Sequence, residues 1–402
     1  MTKAAVKKRI AIVFLILICI QYIPIEGYGV SNIKFAALCM SPFIWIKNFK
    51  TISKALVWGG IYLIAILFSV LYNMDSFRLS TIGYKIALIT MFIMFYDLIY
   101  FNRALKLDDF IKFLKTLILA YSVCLVFQQL AIIVGIRSFP IINLMYYLNR
   151  GIGANSLALE PSHAARILTV LMLVLLRMHE VKWGRANLTF FRLYKGNKWV
   201  ILGFLWCMLT MGSGTAFIGL AILSLYFIKK KYLFGTSVVL IVVYFIIPFI
   251  NYEPLNRAKN TFKASLTLNQ KEVIEVDNSG AGRIVPFLNT INLLEINKTE
   301  TWLGKGIDTN VSAEHLSDEQ TIGGITDYGL ICFILSLIFV FVCCVKKIWS
   351  LESLIFMIML GLTIGNIAYT WGILMLFATS KYFTTNKRFY QQSINFKTTK
   401  VI

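Results

Sequence analysis

The sequence predicts an all-α, polytopic integral membrane protein with about 12 transmembrane helices and one large loop outside the membrane. Three observations lead there. Hydrophobic residues fill 58% of the 402 positions, against about 45–50% in soluble domains, and charged residues fill only 15%. Apolar stretches of bilayer length recur along the chain. Lysine and arginine collect at alternate ends of those stretches. So few polar residues cannot cover a soluble globule, and an aromatic content of 14% excludes a disordered chain.

A span needs about 20 apolar residues, or somewhat fewer. Stretches at 10–25, 30–46, 55–72, 81–100, 113–135, 163–177, 232–250 and 324–345 meet that requirement. The first follows Lys7, Lys8 and Arg9 without a small-residue cleavage site, so it reads as a retained span. Two longer stretches, 199–228 and 351–380, would each be about 45 Å long as one helix, too long for a hydrocarbon core of about 30 Å. Each is broken near its middle, by Gly212-Ser213-Gly214 and by Gly365-Asn366, and each is basic at both ends. Each therefore reads as two short spans folded back as a hairpin.

The net charge of +21 would suggest a nucleic-acid binder in a soluble chain, but no basic stretch forms a reading head. It follows instead from the positive-inside rule. With both termini inside, 27 of the 40 basic residues fall on inside segments. The seven cysteines (19, 39, 124, 207, 332, 343 and 344) all lie in apolar stretches, with neither disulfide nor metal-ligand spacing, and read as packing residues. No metal and no cofactor is expected.

The whole chain reads as a single membrane domain, 1–402, with two outside loops. The larger, 251–322, holds 10 of the 19 acidic residues against 7 basic ones. Within it, Ile284, Phe287, Leu288, Ile291 and Leu294 recur at helical spacing, predicting an amphipathic helix from Arg283 to Glu295. Its apolar face would lie on the membrane or the spans. The smaller loop, 136–162, carries Asn149-Arg150-Gly151 and then Leu159-Glu160-Pro161-Ser162-His163.

No zinc-protease, P-loop, dinucleotide or nucleophile-elbow motif is present, and Leu303-Gly304-Lys305-Gly306 reads as a turn. The informative groups are ionisable residues at the outer face. Glu160 precedes Pro161, where a carboxylate suits the helix dipole, so ordinary capping is one explanation. Arg166 lies a turn inside the apolar stretch, where a cation is expensive unless paired or facing a wet cavity. With His163 between them, the group exceeds what capping requires. Arg283, after Ser279-Gly280-Ala281-Gly282, opens a helix against its dipole; an anion bound there would explain it, and so would a solvated surface position. Asp327 sits at the mouth of the tenth span, with His315, Asp318 and Glu319 shortly before it as further candidates or solvated loop. His179 falls on an inside segment and reads as incidental.

Together these features resemble the O-antigen polymerase (Wzy-type) family within the polymerase–ligase group of membrane glycosyltransferases. The twelve spans carry the resemblance, with Asn149-Arg150-Gly151, Leu159-Glu160-Pro161-Ser162 and Leu209-Thr210-Met211-Gly212-Ser213-Gly214-Thr215. So does the late outside loop, with Ser279-Gly280-Ala281-Gly282-Arg283, Leu303-Gly304-Lys305-Gly306 and Asp327-Tyr328-Gly329-Leu330-Ile331 beyond it. Relatives often carry Ser-Arg-Gly where this chain has Gly212-Ser213-Gly214, so that arginine's role does not transfer.

The resemblance implies a multi-pass protein of the bacterial inner membrane working on its periplasmic face. Polyprenyl-diphosphate-linked oligosaccharides would be both donor and acceptor, membrane lipids its surroundings, and a chain-length regulator a further partner; nucleic acid is not one. The growing glycan would pass to a sugar hydroxyl of a new repeat unit. Glu160, His163, Arg283 and Asp327 are then the candidates for chemistry, and Arg150, Arg166, Lys305 and His315 for holding diphosphate or glycan. Cations would hold the leaving diphosphate, and a carboxylate or imidazole would deprotonate the hydroxyl. Two other readings stand beside this one. An O-antigen ligase would share fold and donor, with His315 in its favour. A flippase or other transporter would suit twelve spans, but the outside loop and outer-face charges favour an enzyme.

Overall fold

The computed structural model describes residues 2–21, 31–76, 79–136, 152–185, 188–227, 269–276, 285–291, 294–306, 321–365 and 367–387, with scattered positions in 256–267. The expected span 232–250, most of the loop 136–162, and Arg150, Arg283 and His315 lie outside them. Among the described residues there is no strand, and the helices in order are α1 (Lys3–Cys19), α2 (Asn32–Asn48), α3 (Lys54–Tyr72), α4 (Leu79–Tyr100), α5 (Leu107–Ile133), α6 (Pro161–Trp183) and α7 (Phe190–Thr210). There follow α8 (Gly214–Ser224), α9 (Gln270–Val276), α10 (Thr299–Leu303), α11 (Ile325–Cys343), α12 (Leu351–Leu360) and α13 (Ala368–Thr385). Among the described residues four segments are long and apolar enough to cross a membrane: α3, α4, α5, and Ile322–Cys343, which contains α11. Many exposed positions on these and neighbouring helices are apolar. Phe43, Ile46, Phe68, Leu79 and Trp199 are exposed, while Lys85, Gln128, Asn155 and Ser156 are buried. A soluble protein arranges these the other way round, so the chain is an α-helical membrane protein.

The termini of the helices follow local chemistry. Thr2, Ser53, Thr189 and Ser350 each accept a backbone N–H of the first turn of α1, α3, α7 and α12. Both long apolar stretches are broken as expected. The first breaks at Gly212, between α7 and α8. The second breaks a turn earlier than Gly365-Asn366, where Gly361 takes φ 59° and closes α12.

The chain groups into two compact units interleaved along the sequence. The first comprises Met1–Phe35, Leu98–Pro254 and Gly372–Ile402. In it α5 packs against α6 and α7, and α6 against α8. Small residues permit these approaches, as is usual between membrane helices: a Cβ on Gly203 would meet Ser122 Oγ at 2.7 Å. Beyond the apolar stretch 163–177, α6 continues for two turns, and there Glu180 gathers charge. Its Oε2 accepts from Tyr226 OH (2.8 Å) and Arg177 Nη1 (3.2 Å), with Arg185 Nη1 at 3.7 Å; Lys387 Nζ lies 3.9 Å from Oε1. Burial pushes the Glu180 carboxyl up, but the Tyr226 hydroxyl and the two arginines outweigh it and hold the group below its usual range. The unfolded chain therefore binds this proton more tightly. The network's contribution is complete above the ordinary carboxylate range and is lost as pH falls through the lower, folded value. Glu180→Gln should cost about 1.5–3 kcal/mol at neutral pH, the worth of hydrogen bonds to a charged group. Thermal unfolding in detergent should show that deficit, and the deficit should vanish in acid.

The second unit comprises Ala36–Asp97 and Leu255–Trp371. Its core is aromatic: Phe92 meets Phe339 at 5.1 Å and Trp371 at 6.0 Å between ring centroids, in edge-on geometry. Here α11 packs against α3 and α10. Of the amphipathic helix expected at 283–295, residues 285–291 are helical. Val285 packs with Ala264 and Val273 in a small core and Leu288 is buried, whereas Ile291, placed on the apolar face by its spacing, is exposed.

Candidate functional site

Two centres of ionisable residues emerge, one in each unit. The first is built at the start of α6. Pro161 fits the first helical position because its ring presets φ and its missing N–H would go unused there. Glu160 before it is extended (φ −135°, ψ 152°) and holds the N-cap position, yet its side chain makes no capping bond. The carboxylate instead accepts from Ser162 Oγ (3.2 Å) and stands 3.9 Å from His163 Nε2. A capping hydrogen bond therefore does not account for this carboxylate, although it stands at the positive end of the helix dipole. Arg166 is half-buried one turn further along.

The segment leading into Glu160 is held by a web of polar bonds. Gln128 of α5 accepts from Ser156 N (2.6 Å) and donates to Ser156 O (3.1 Å), and Ser156 Oγ donates to Tyr121 O (2.6 Å). These bonds hold Ser156 at φ 53°, a conformation that costs a non-glycine residue about 1–2 kcal/mol. Asn155 Nδ2 closes the turn by donating to Ala158 O (2.5 Å). From the end of α1, Gln21 N donates to Leu157 O (3.1 Å), while Gln21 Oε1 accepts from Leu159 N (3.0 Å) and lies 3.2 Å from His163 Nδ1. Buried polar residues in an apolar setting are costly unless satisfied, and here they fix the geometry of an acid–imidazole pair.

The second centre lies where the turn after α10 docks on α3 and α11, with Lys85 of α4 beside Tyr62 and Tyr328 of those two helices. Lys85, 1% exposed in the apolar run of α4, donates to the Ile364 carbonyl. Its Nζ lies over the rings of Tyr62 (5.9 Å) and Tyr328 (5.4 Å), and it interacts electrostatically with Asp327. The turn Leu303-Gly304-Lys305-Gly306 docks on the first turn of α11. Lys305 N donates to Thr326 O (2.7 Å) and Gly306 N to Asp327 O (3.1 Å), while Ser69 Oγ donates to Leu303 O (2.6 Å). Gly304 (φ 83°) and Gly329 (φ 87°) make the approach possible; a Cβ on either would run into the backbone of the other segment. Beside this turn a cleft of about 150 Å³ is lined by Glu295, Lys298, Glu300, Lys305, Thr321 and Thr326, among others. Leu294 and Ile325 line it as well, so the cleft offers charged groups and hydroxyls beside an apolar wall.

Of the residues singled out from the sequence, Glu160 and His163 are brought into one pair, with Arg166 on the same helix. Asp327 and Lys305 are joined through the backbone of the docked turn. Sequence reading missed Lys85, Gln21 and Gln128. Lys85 carried a signal, since it is a cation in the middle of the stretch 81–100. His179 is buried and stacks on Trp183 (4.3 Å); burial first, then Lys115 and Lys182, hold it down to about 4, so it is neutral and apart from either centre. Among the described residues no three His, Cys, Asp or Glu side chains cluster as metal ligands. In comparisons with known proteins, no family model, no curated protein and no solved structure matches the chain.

Proposed function

We propose that the chain is a periplasmic-face polysaccharide polymerase of twelve spans, transferring a glycan from polyprenyl diphosphate to a hydroxyl of another lipid-linked repeat unit. The observation that carries this is the Glu160–His163 pair, an acid and an imidazole 3.9 Å apart at the mouth of a helix, neither spent on capping. His163 Nε2 takes the proton of the attacking hydroxyl, and Glu160 stabilises the imidazolium that forms. The hydroxyl oxygen bonds to the anomeric carbon. The bond from that carbon to the diphosphate oxygen breaks, and its electron pair leaves with the diphosphate. Arg166 supplies a cation for that charge on the same helix. In the second centre, Lys85 and Lys305 suit an anionic diphosphate or glycan group, with the Ile364 carbonyl orienting the buried ammonium and Asp327 as a nearby countercharge. Arg150, Arg283 and His315 retain the roles that the resemblance implies.

Deleting the gene tests the reading. Loss of a polymerase leaves the lipid-A core capped with a single repeat unit, because export and ligation persist. Loss of a flippase leaves no exported unit, and loss of a ligase leaves polymer on its lipid carrier. Either of those two outcomes would replace this reading.

A further inference from the structure

We propose that Gln21 is a positioning residue that fixes the tautomer of His163, so that Nδ1 keeps its hydrogen and Nε2 is the nitrogen that gains and loses the proton. The inference rests on the reading of His163 as the base, but the tautomer itself is a property of the resting protein.

It comes from the hydrogen-bond accounting around one atom. Gln21 Oε1 lies 3.0 Å from Leu159 N and 3.2 Å from His163 Nδ1. A backbone N–H can only donate, so the atom it meets must be the amide oxygen and not the amide nitrogen. An amide oxygen can only accept. Its second partner must therefore donate, which places a hydrogen on His163 Nδ1. In the neutral ring the lone pair is then on Nε2, the nitrogen that stands 3.9 Å from Glu160 Oε2. A proton arriving at Nε2 makes an imidazolium held at both ends, by an amide oxygen on one side and a carboxylate on the other. The opposite tautomer would turn two acceptors, Gln21 Oε1 and Nδ1, toward each other and present an N–H where the base is needed.

Gln21 is itself held in place. Its N–H donates to Leu157 O (3.1 Å), so Gln21 grips the chain on both sides of Ala158. Its carbonyl accepts from Lys34 Nζ (2.9 Å), which also donates to Ile20 O (2.5 Å) and so satisfies two carbonyls where α1 ends. The imidazole is thereby oriented from a segment 142 residues away in sequence.

The test is nitrogen NMR of the full chain, labelled with ¹⁵N-histidine and purified into lipid nanodiscs. With three histidines in the chain, a His163→Ala spectrum assigns the signal. At a pH where His163 is neutral, the proposal expects Nδ1 protonated and Nε2 bare, with Nε2 the nitrogen that titrates. Gln21→Leu removes the acceptor and should shift the population toward the Nε2–H form. Gln21→Glu keeps an acceptor oxygen and should retain the Nδ1–H form, with titration moved to higher pH. A wild-type spectrum dominated by Nε2–H overturns the proposal, as does a Gln21→Leu spectrum that keeps Nδ1–H. If Gln21→Leu fails to fold, the wild-type and Gln21→Glu spectra decide. None of these readouts depends on turnover, so the result stands apart from whether the chain extends a glycan.

Discussion

Lys85→Met should lower polymer formation by about 10²–10³-fold, the scale seen when one group stabilising transition-state charge is removed, while the protein remains in the membrane at near-normal abundance. Methionine has nearly the length of lysine and is apolar, so the space between Tyr62 and Tyr328 stays filled. The Ile364 carbonyl loses its donor and Asp327 its neighbouring countercharge, so membrane abundance is read beside activity. A fold kept without activity would therefore assign the ammonium to chemistry. Polymer length on a gel, with immunoblotting of the membrane fraction, reads both quantities. Polymer of normal length in Lys85→Met would make this lysine a structural donor to the Ile364 carbonyl and nothing more.

The second large effect is expected at the Glu160–His163 pair. His163→Gln should slow transfer by about 10²–10⁴-fold, the usual worth of a positioned general base, and abolish the acidic limb of the pH–rate profile, where rate is lost as the imidazole takes up its proton. Glu160→Gln should be milder in rate and different in kind. It keeps the size of the side chain and its bond from Ser162, and there is no capping bond to lose. It removes the charge that favours the imidazolium, so the pH limb belonging to His163 should move to lower pH. A Glu160→Gln enzyme with wild-type rate and an unmoved limb would leave that carboxylate without a part in the proton transfer, and Asp327 would then be the carboxylate to examine.

The helices were largely legible in the sequence because the bilayer imposes a simple rule. The apolar run 55–72 became α3, Lys54–Tyr72, and the run 81–100 became α4, Leu79–Tyr100. Hydropathy marks the apolar part of a helix rather than its hydrogen-bonded length. That is why α6 outruns its stretch 163–177 and reaches Trp183, where charged partners rather than lipid satisfy Arg177 and Glu180. The second long stretch breaks at Gly361 and not at Gly365-Asn366, since a glycine at either place can take the left-handed cap and hydropathy does not distinguish them. The site was legible only in part. Glu160, His163 and Arg166 declared themselves by adjacency in sequence and by charge at an apolar boundary. Gln21 and Gln128 did not, since a glutamine in or beside an apolar run carries no local signal of its partner. Their roles come from tertiary contacts with the segment 155–163.

The most direct test of the polymerase reading is a reaction with the full chain alone, purified into lipid nanodiscs and supplied with a polyprenyl-diphosphate-linked repeat unit from the host strain. Mass spectrometry of the products reads both the glycan and the lipid. The account predicts a ladder of lipid-linked oligomers differing by one repeat unit, with one polyprenyl diphosphate released for every unit added. Repeat units recovered unchanged from a folded, correctly inserted protein would contradict it.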